Sequence, residues 1–194
     1  MKLAVNEIFY SLQGEGRRMG EASIFVRLTG CNLRCDFCDT SFETGTEMRP
    51  EEILEKIAAY ACRWIVWTGG EPALQLSDKV LSFFKQNGYR QAIESNGTHR
   101  ISPLLDYVAC SPKGNYEEVK KINPVVDEIR LPVKAGDVLP FMWQLPRAGT
   151  YYISPIFTDD PRETASNIAS CVDYVKRHPA WKLSLQVHKL IGIE

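Results

Sequence analysis

The sequence has no run of about 18 apolar residues, so no segment is expected to cross a membrane. It has no block of about five like charges. Lys and Arg number 23 against 24 Asp and Glu, a formal net charge of −1. A dedicated nucleic-acid binder carries a strong basic excess, so that class is excluded. The start, Met1-Lys2-Leu3-Ala4-Val5-Asn6-Glu7, lacks the apolar stretch of a secretion signal, and a cytoplasmic protein is expected. No repeat, low-complexity tract or linker is visible, and Leu131-Pro132 and Leu139-Pro140 are loop punctuation. The 194 residues are expected to form one domain over 1–194. A complete eight-fold barrel needs roughly 250 residues, more than this chain offers.

What is present is ordinary globular usage, 44% apolar and 24% charged, with six cysteines. Seven runs rich in β-branched and aromatic residues read as strands: Ser23–Thr29, Trp64–Thr68, Tyr89–Ile93, Tyr107–Cys110, Glu128–Leu131, Tyr151–Ile153 and Lys182–Val187. Helical periodicity lies between them. Ile53, Leu54, Ile57, Ala58 and Ala61 share a face of a helix opening at Pro50. Ser77 caps a second helix, faced by Val80, Leu81 and Phe84 and ended by Gly88. Asp160-Pro161-Arg162-Glu163 opens a third, with Ala165, Ile168, Val172 and Val175 as its apolar stripe. Strands alternating with helices predict an α/β fold with a parallel sheet. A partial, open β/α barrel of about six mostly parallel strands fits the length, and an open doubly wound sheet fits nearly as well.

Three cysteines crowd one stretch, Cys31-Asn-Leu-Arg-Cys35-Asp-Phe-Cys38, directly after a predicted strand. Cys62, Cys110 and Cys171 fall singly in apolar runs and read as small core residues. Three thiolates on one short loop can grip three corners of an iron–sulfur cubane, which would leave the fourth iron without a protein ligand. A closed cluster or a structural zinc site uses four protein ligands. The only histidines, His99, His178 and His188, lie outside the loop, although a fourth ligand brought in by folding stays open. Further along, Thr68-Gly69-Gly70-Glu71-Pro72, Glu94-Ser95-Asn96-Gly97 and Ser111-Pro112-Lys113 each follow a predicted strand. In a parallel sheet these C-terminal ends share the ligand-binding face.

The C-x3-C-x2-C loop, Phe37 before its last cysteine and the Gly-Gly-Glu-Pro turn resemble the signature of the radical S-adenosylmethionine superfamily. That resemblance implies a 4Fe-4S cluster whose open iron chelates S-adenosylmethionine, and reductive cleavage to a 5′-deoxyadenosyl radical. Glu7-Ile-Phe-Tyr-Ser-Leu-Gln13-Gly14-Glu15-Gly16, Arg27 and Cys38-Asp39-Thr40 narrow it further. With them the chain resembles the 7-carboxy-7-deazaguanine synthase family over nearly its whole length. The family contracts 6-carboxy-5,6,7,8-tetrahydropterin to a 7-deazapurine with loss of ammonia, on the route to queuosine.

The resemblance implies the following roles. Cys31, Cys35 and Cys38 hold the cluster, and Thr40 ligates Mg2+. Phe37, Cys38, Asp39, Gly70, Ser111, Pro112 and Lys113 contact S-adenosylmethionine, with Ser95 and Ser154 as lesser candidates. Leu12, Gln13, Gly14, Arg27 and Thr68 line the substrate site. Glu15 accepts from the guanidine-like N–H groups of the pterin, and Gln13 reads its edge with both ends of its amide. Arg27 takes a carboxylate or ring oxygen in its fork. Gln186-Val-His188-Lys189 is placed on the last strand, with His188 and the terminal Glu194 reaching the substrate. The implied partners are a flavodoxin or ferredoxin reductant and a second copy of the chain, with no nucleic acid or membrane. The implied chemistry removes a hydrogen atom from C6 and later returns it. No residue stands out as a catalytic acid or base. Two alternatives remain: an activase of glycyl-radical enzymes, and a non-catalytic iron–sulfur or zinc protein.

Overall fold

A computed structural model describes residues 2–38, 40 and 43–194. Strands β1 (Leu3–Leu12) and β2 (Ala22–Leu28) run antiparallel, and β3 (Thr46–Met48) pairs with the start of β1. Then follow α1 (Pro50–Ile57), β4 (Trp64–Gly69), α2 (Asp78–Gln86), β5 (Arg90–Ser95) and β6 (Tyr107–Cys110). Next come α3 (Tyr116–Ile122), β7 (Val125–Val133), β8 (Arg147–Pro155), α4 (Pro161–Arg177), β9 (Trp181–Leu183) and α5 (Val187–Ile191). The strands make one sheet in the order β3-β1-β2-β4-β5-β6-β7-β8-β9, and from β2 to β9 every neighbouring pair is parallel. Among the described residues the two edge strands, β3 and β9, do not pair with each other. The architecture is therefore an open β/α sheet, as the strand–helix alternation predicts.

All seven expected runs contain strand, and two further strands, β1 and β3, were not anticipated. In β1 a register shift between Val5 and Glu7 breaks the period-two pattern: Leu3 and Val5 are buried, and so is Phe9, but not Glu7. Periodicity cannot flag a strand whose alternation slips midway.

Helices α1 and α2 cover one face of the sheet. Ile53, Ile57, Val80, Leu81 and Phe84 pack there on Ile24, Val26, Leu28, Ile65, Trp67 and Ile93. Burying a side chain such as Phe84 contributes about 1.5–3 kcal/mol. Trp67 is fully buried, so its indole N–H needs a partner, and it donates to Gln91 Oε1 at 3.1 Å. A second cluster, beneath α3 and α4, joins Val119, Cys171 and Trp181 to Ile129, Leu131 and Ile153. Helix α1 ends at Ile57, so Ala58 is only its cap and Ala61 lies beyond it.

The inward face of α4 is rotated from the expected stripe. Asn167 and Cys171 are its buried residues, whereas Ala165 and Val172 are exposed. The buried Asn167 amide is satisfied by backbone: it accepts from Ala135 N at 2.7 Å and donates to Ile156 O at 2.8 Å. It thereby joins the segments that follow β7 and β8.

The other face of the sheet is concave and mostly polar. Glu94 on β5 reaches Arg130 on β7 across the intervening β6. A small apolar patch, Phe9, Phe25, Val66 and Ala92, lines part of this face. The segment between β1 and β2 folds over it. Arg18 is buried there with its guanidinium 3.7 Å from the ring centre of Trp64, and Arg17 N donates to Glu128 at 2.8 Å. Gly16 has φ +68°, and a Cβ on it would collide with the Glu128 carboxylate, so this turn requires glycine.

The end of the chain corrects an expectation. The last strand stops at Leu183, and Gln186 caps α5, which carries His188 and Lys189. Tertiary contacts turn the chain. Ser184 N makes a last bond to Ile153 O at 2.9 Å, and Val187 N then donates to Gly14 O at 3.1 Å. The apolar-rich run from Lys182 to Val187 looks like strand only when those partners are ignored.

Candidate active site

The C-terminal ends of the parallel strands open into two adjoining cavities on the concave side. Cys31, Cys35 and Cys38 all border the first, with Phe37, Ser111, Lys113 and Ser154. All six cysteines are free thiols, and Cys62, Cys110 and Cys171 lie away from this cavity. Among the described residues no three Cys, His, Asp or Glu side chains crowd closely enough for a single ion; the three thiols border a wider space. No histidine lines it. Burial, opposed in part by Lys113, raises the Cys35 thiol above its ordinary pKa.

The loop sits where it does because the Gly-Gly-Glu-Pro turn extends the β2–β4 ladder. Gly70 N donates to Leu28 O and Glu71 N to Gly30 O, each at 2.8 Å. Gly69 has φ +103°, which favours glycine. The Glu71 side chain is fully buried and accepts from Ala73 N at 3.0 Å, Ser95 Oγ at 2.8 Å and Asn96 N at 2.7 Å. Desolvation raises its carboxyl pKa against those three donors.

Of the expected cofactor contacts, Gly70, Ser95 and Pro112 are not among the described residues that line this cavity. Ser95 Oγ is engaged by Glu71 and by Gly97 N. Asp39 lies outside the described residues. Ser154 lines the cavity, and its buried Oγ has no hydrogen-bond partner among the described residues, which leaves a donor for a polar ligand group. Three thiols, an unpartnered hydroxyl and the apolar Ile156 and Phe157 on one wall fit an iron–sulfur cluster together with a ligand that is part polar and part apolar.

The second cavity is bordered by Leu12, Gln13, Gly14, Glu15, Arg27, Thr40 and Thr68, with His188 and Glu194 from the chain end. Every residue anticipated for the substrate is therefore at this one place. The tail is pinned there: Ser11 Oγ donates to Glu194 O at 2.7 Å, and a Cβ on Gly14 would overlap the His188 ring. Arg27 lies 4.9 Å from the Phe9 ring centre and pairs with Glu7 at 3.6 Å. Gln13 differs from its expected role. Its amide donates to Glu94 at 2.9 Å and accepts from Glu15 N at 3.2 Å, so it braces two neighbours rather than facing outward with both ends.

Glu15, Arg130, Gln186 and Lys189 border both cavities and form the partition between them. Arg130 is its hub. Each guanidinium nitrogen meets a different carboxylate: Nη1 meets Glu15 at 3.1 Å, Nη2 meets Glu94, and Nε lies 3.0 Å from Glu128 but off line for a hydrogen bond. Gln186 donates to Glu15 at 3.2 Å, and Tyr107 OH donates to Glu128 at 2.8 Å. Burial raises the pKa of the Glu128 carboxyl, and the Arg17 N–H and the Tyr107 hydroxyl oppose it. Losing one partner of such a buried group costs about 3–5 kcal/mol. Sequence reasoning placed Glu94, Gln186 and Lys189 in motifs at the ligand-binding face without giving any of them a site role of its own, and missed Arg130 altogether. The available signal was Glu128 and Arg130 alternating with apolar residues on one strand, two charges on a single face.

Residues 25–151 match the family model described as the radical SAM superfamily. The chain is 39% identical over 193 residues to the 7-carboxy-7-deazaguanine synthase of Bacteroides thetaiotaomicron, covering all of both chains. It is 42% identical over 198 residues to the enzyme of that name from Neisseria meningitidis serogroup B, covering 97% of this chain and 92% of the other. Among solved structures it is similar to QueE from Escherichia coli, with a TM-score of 0.74 and 26% identity over 97% of this chain and 95% of that one.

Proposed function

Because the chain belongs to the radical SAM superfamily and, within it, to the 7-carboxy-7-deazaguanine synthase family, we propose that it converts 6-carboxy-5,6,7,8-tetrahydropterin to 7-carboxy-7-deazaguanine with loss of ammonia. The observation that carries this reading is the partition. Three thiols border one side of it, and a cavity with carboxylates, amides and a guanidinium borders the other.

The superfamily works with a 4Fe-4S cluster and S-adenosylmethionine, which when bound supply one-electron chemistry that abstracts a hydrogen atom from carbon. Cys31, Cys35 and Cys38 would hold the cluster, and Ser154, Ser111 and Lys113 offer polar contacts to S-adenosylmethionine. On the far side of Arg130, Glu15 and Glu94 accept from the donor-rich edge of the pterin. Arg27, over the Phe9 ring, receives its carboxylate. Thr40 stands near enough to that cavity to serve a Mg2+ ion that also uses substrate oxygens. Helix α5 lines part of the second cavity through His188 and Lys189. The remaining parts of the reading are one catalytic domain over residues 1–194, a flavodoxin or ferredoxin as reductant, a homodimer and a cytoplasmic location. Among the described residues no helix is long and apolar enough to cross a membrane.

A glycyl-radical activase and a non-catalytic iron–sulfur or zinc protein are not favoured, because the synthase relatives match along the full chain. The test is anaerobic incubation of the iron-loaded protein with the carboxytetrahydropterin, S-adenosylmethionine, reductant and Mg2+. The deazaguanine acid and ammonia should appear by mass and ammonia assay. Cleavage of S-adenosylmethionine without that product overturns the substrate, and no cleavage at all overturns the class.

A further inference from the structure

The cysteine loop carries two polar side chains besides Arg34 that no thiol requires, Asn32 and Asp36, one on each side of Cys35. Each is tied to a different strand end. Asp36 pairs with Lys134, just beyond β7, at 3.1 Å, but its side chain is 77% exposed and solvent screens such a pair. Asn32 is exposed too, but it is tied at two points, one of them to a buried residue. Its Oδ1 accepts from Asn96 Nδ2 at 3.1 Å, and its Nδ2 donates to Thr98 Oγ1 at 2.9 Å. Asn96 is buried, and its Oδ1 accepts from Thr98 N at 2.9 Å and from Thr98 Oγ1 at 2.6 Å. Its backbone N–H donates to the buried Glu71 carboxylate. The backbone of Glu71 in turn holds Gly30, the residue before Cys31.

These bonds form one chain from Glu71 through Asn96 to Asn32, and both of its ends adjoin Cys31. Residues 31–38 hold no helix or strand, and the bonds within the loop include Cys38 N to Cys35 O at 3.2 Å and Leu33 N to Cys31 Sγ at 3.4 Å. A loop that must be ordered as it binds loses affinity to that ordering, and one ordered beforehand does not. We propose that Glu71, Asn96 and Asn32 are positioning residues that set the cysteine loop in its cluster-binding conformation before iron arrives. This rests on the cluster reading above. It assigns the Glu-Ser-Asn-Gly turn a second task besides bordering the cofactor cavity: its asparagine clamps the loop.

The discriminating variant is Asn96→Asp. A carboxylate in that place still accepts from Thr98 and keeps the turn, but it cannot donate to Asn32 Oδ1. Asn32→Ala cuts the same link from the other side without adding charge, and also removes the bond to Thr98. Wild type, both single variants, the double variant and Lys134→Ala would be loaded with iron and sulfide anaerobically. Three quantities would be read: the rate of iron release to a ferrous chelator, the electron paramagnetic resonance spectrum of the reduced cluster, and the circular dichroism of the iron-free protein. Each single variant should release iron about threefold to tenfold faster with an altered spectrum, the size expected for removal of a part-buried hydrogen bond. The double variant should be no faster than Asn32→Ala, because that variant already lacks the one link that Asn96→Asp breaks. Lys134→Ala should change the rate less than about twofold. Release from Asn96→Asp or Asn32→Ala at the wild-type rate overturns the proposal, as does a double variant whose effect is the product of the singles. A wild type that takes up no cluster overturns the cluster reading, and this inference with it.

Discussion

A methyl group on Gly70 would stand 1.9 Å from the carbonyl oxygen of Gly30, the residue that leads into Cys31. The turn after β4 and the cysteine loop are therefore in backbone contact, and neither can shift alone.

Gly70→Ala should separate them. The added carbon meets backbone rather than a flexible side chain, and overpacking of that kind costs about 1–3 kcal/mol. Iron bound after reconstitution should fall, and S-adenosylmethionine cleavage should drop by about tenfold or more. The far-ultraviolet circular dichroism should stay native. An alanine variant with full iron and full cleavage would show that the contact is not required.

Gln13→Ala removes the brace between Glu94 and the Glu15 backbone, and Arg27→Ala removes the cation beside Phe9. Both residues border the second cavity and neither borders the first. Each variant should lose at least about tenfold in kcat/KM for the pterin. Cleavage of S-adenosylmethionine uncoupled from the pterin should persist. Parallel loss of both activities would place these residues in cofactor binding instead.

The cysteines should separate by reactivity. Burial pushes the thiols of Cys110 and Cys171 up to about 12. Near pH 8 only about one part in ten thousand of such a thiol is the reactive thiolate, and that fraction grows as pH rises. Iodoacetamide added to folded, iron-free protein should label the thiols of the loop, exposed Cys38 among them, and spare Cys110 and Cys171 until urea is added. Peptide mass mapping reads the order. Early labelling of Cys110 would contradict its place in the core.

Much of this molecule follows from short-range pattern. The spacing of Cys31, Cys35 and Cys38, the Gly-Gly-Glu-Pro turn and the strand–helix alternation are local features, and each is written within a few consecutive residues. Ser77 caps α2, and Val80, Leu81 and Phe84 face inward, as helical periodicity requires. The resemblance built on those motifs also named a set of substrate residues that the fold brings to one cavity.

The remainder depended on contacts between residues far apart in the chain. β1 was missed because its alternation slips at Val5, and only pairing with β2 shows it as a strand. Residues 187–191 turn helical because Gly14, about 170 positions earlier, accepts the Val187 N–H. Arg130 reads as an ordinary strand charge until curvature of the sheet brings Glu15, Glu94 and Glu128 around it. Sequence spacing decides which thiols lie together, because a loop of eight residues can only reach so far. The partition between the two cavities was decided by tertiary structure alone, because a charge can be buried only where distant strands supply its partners.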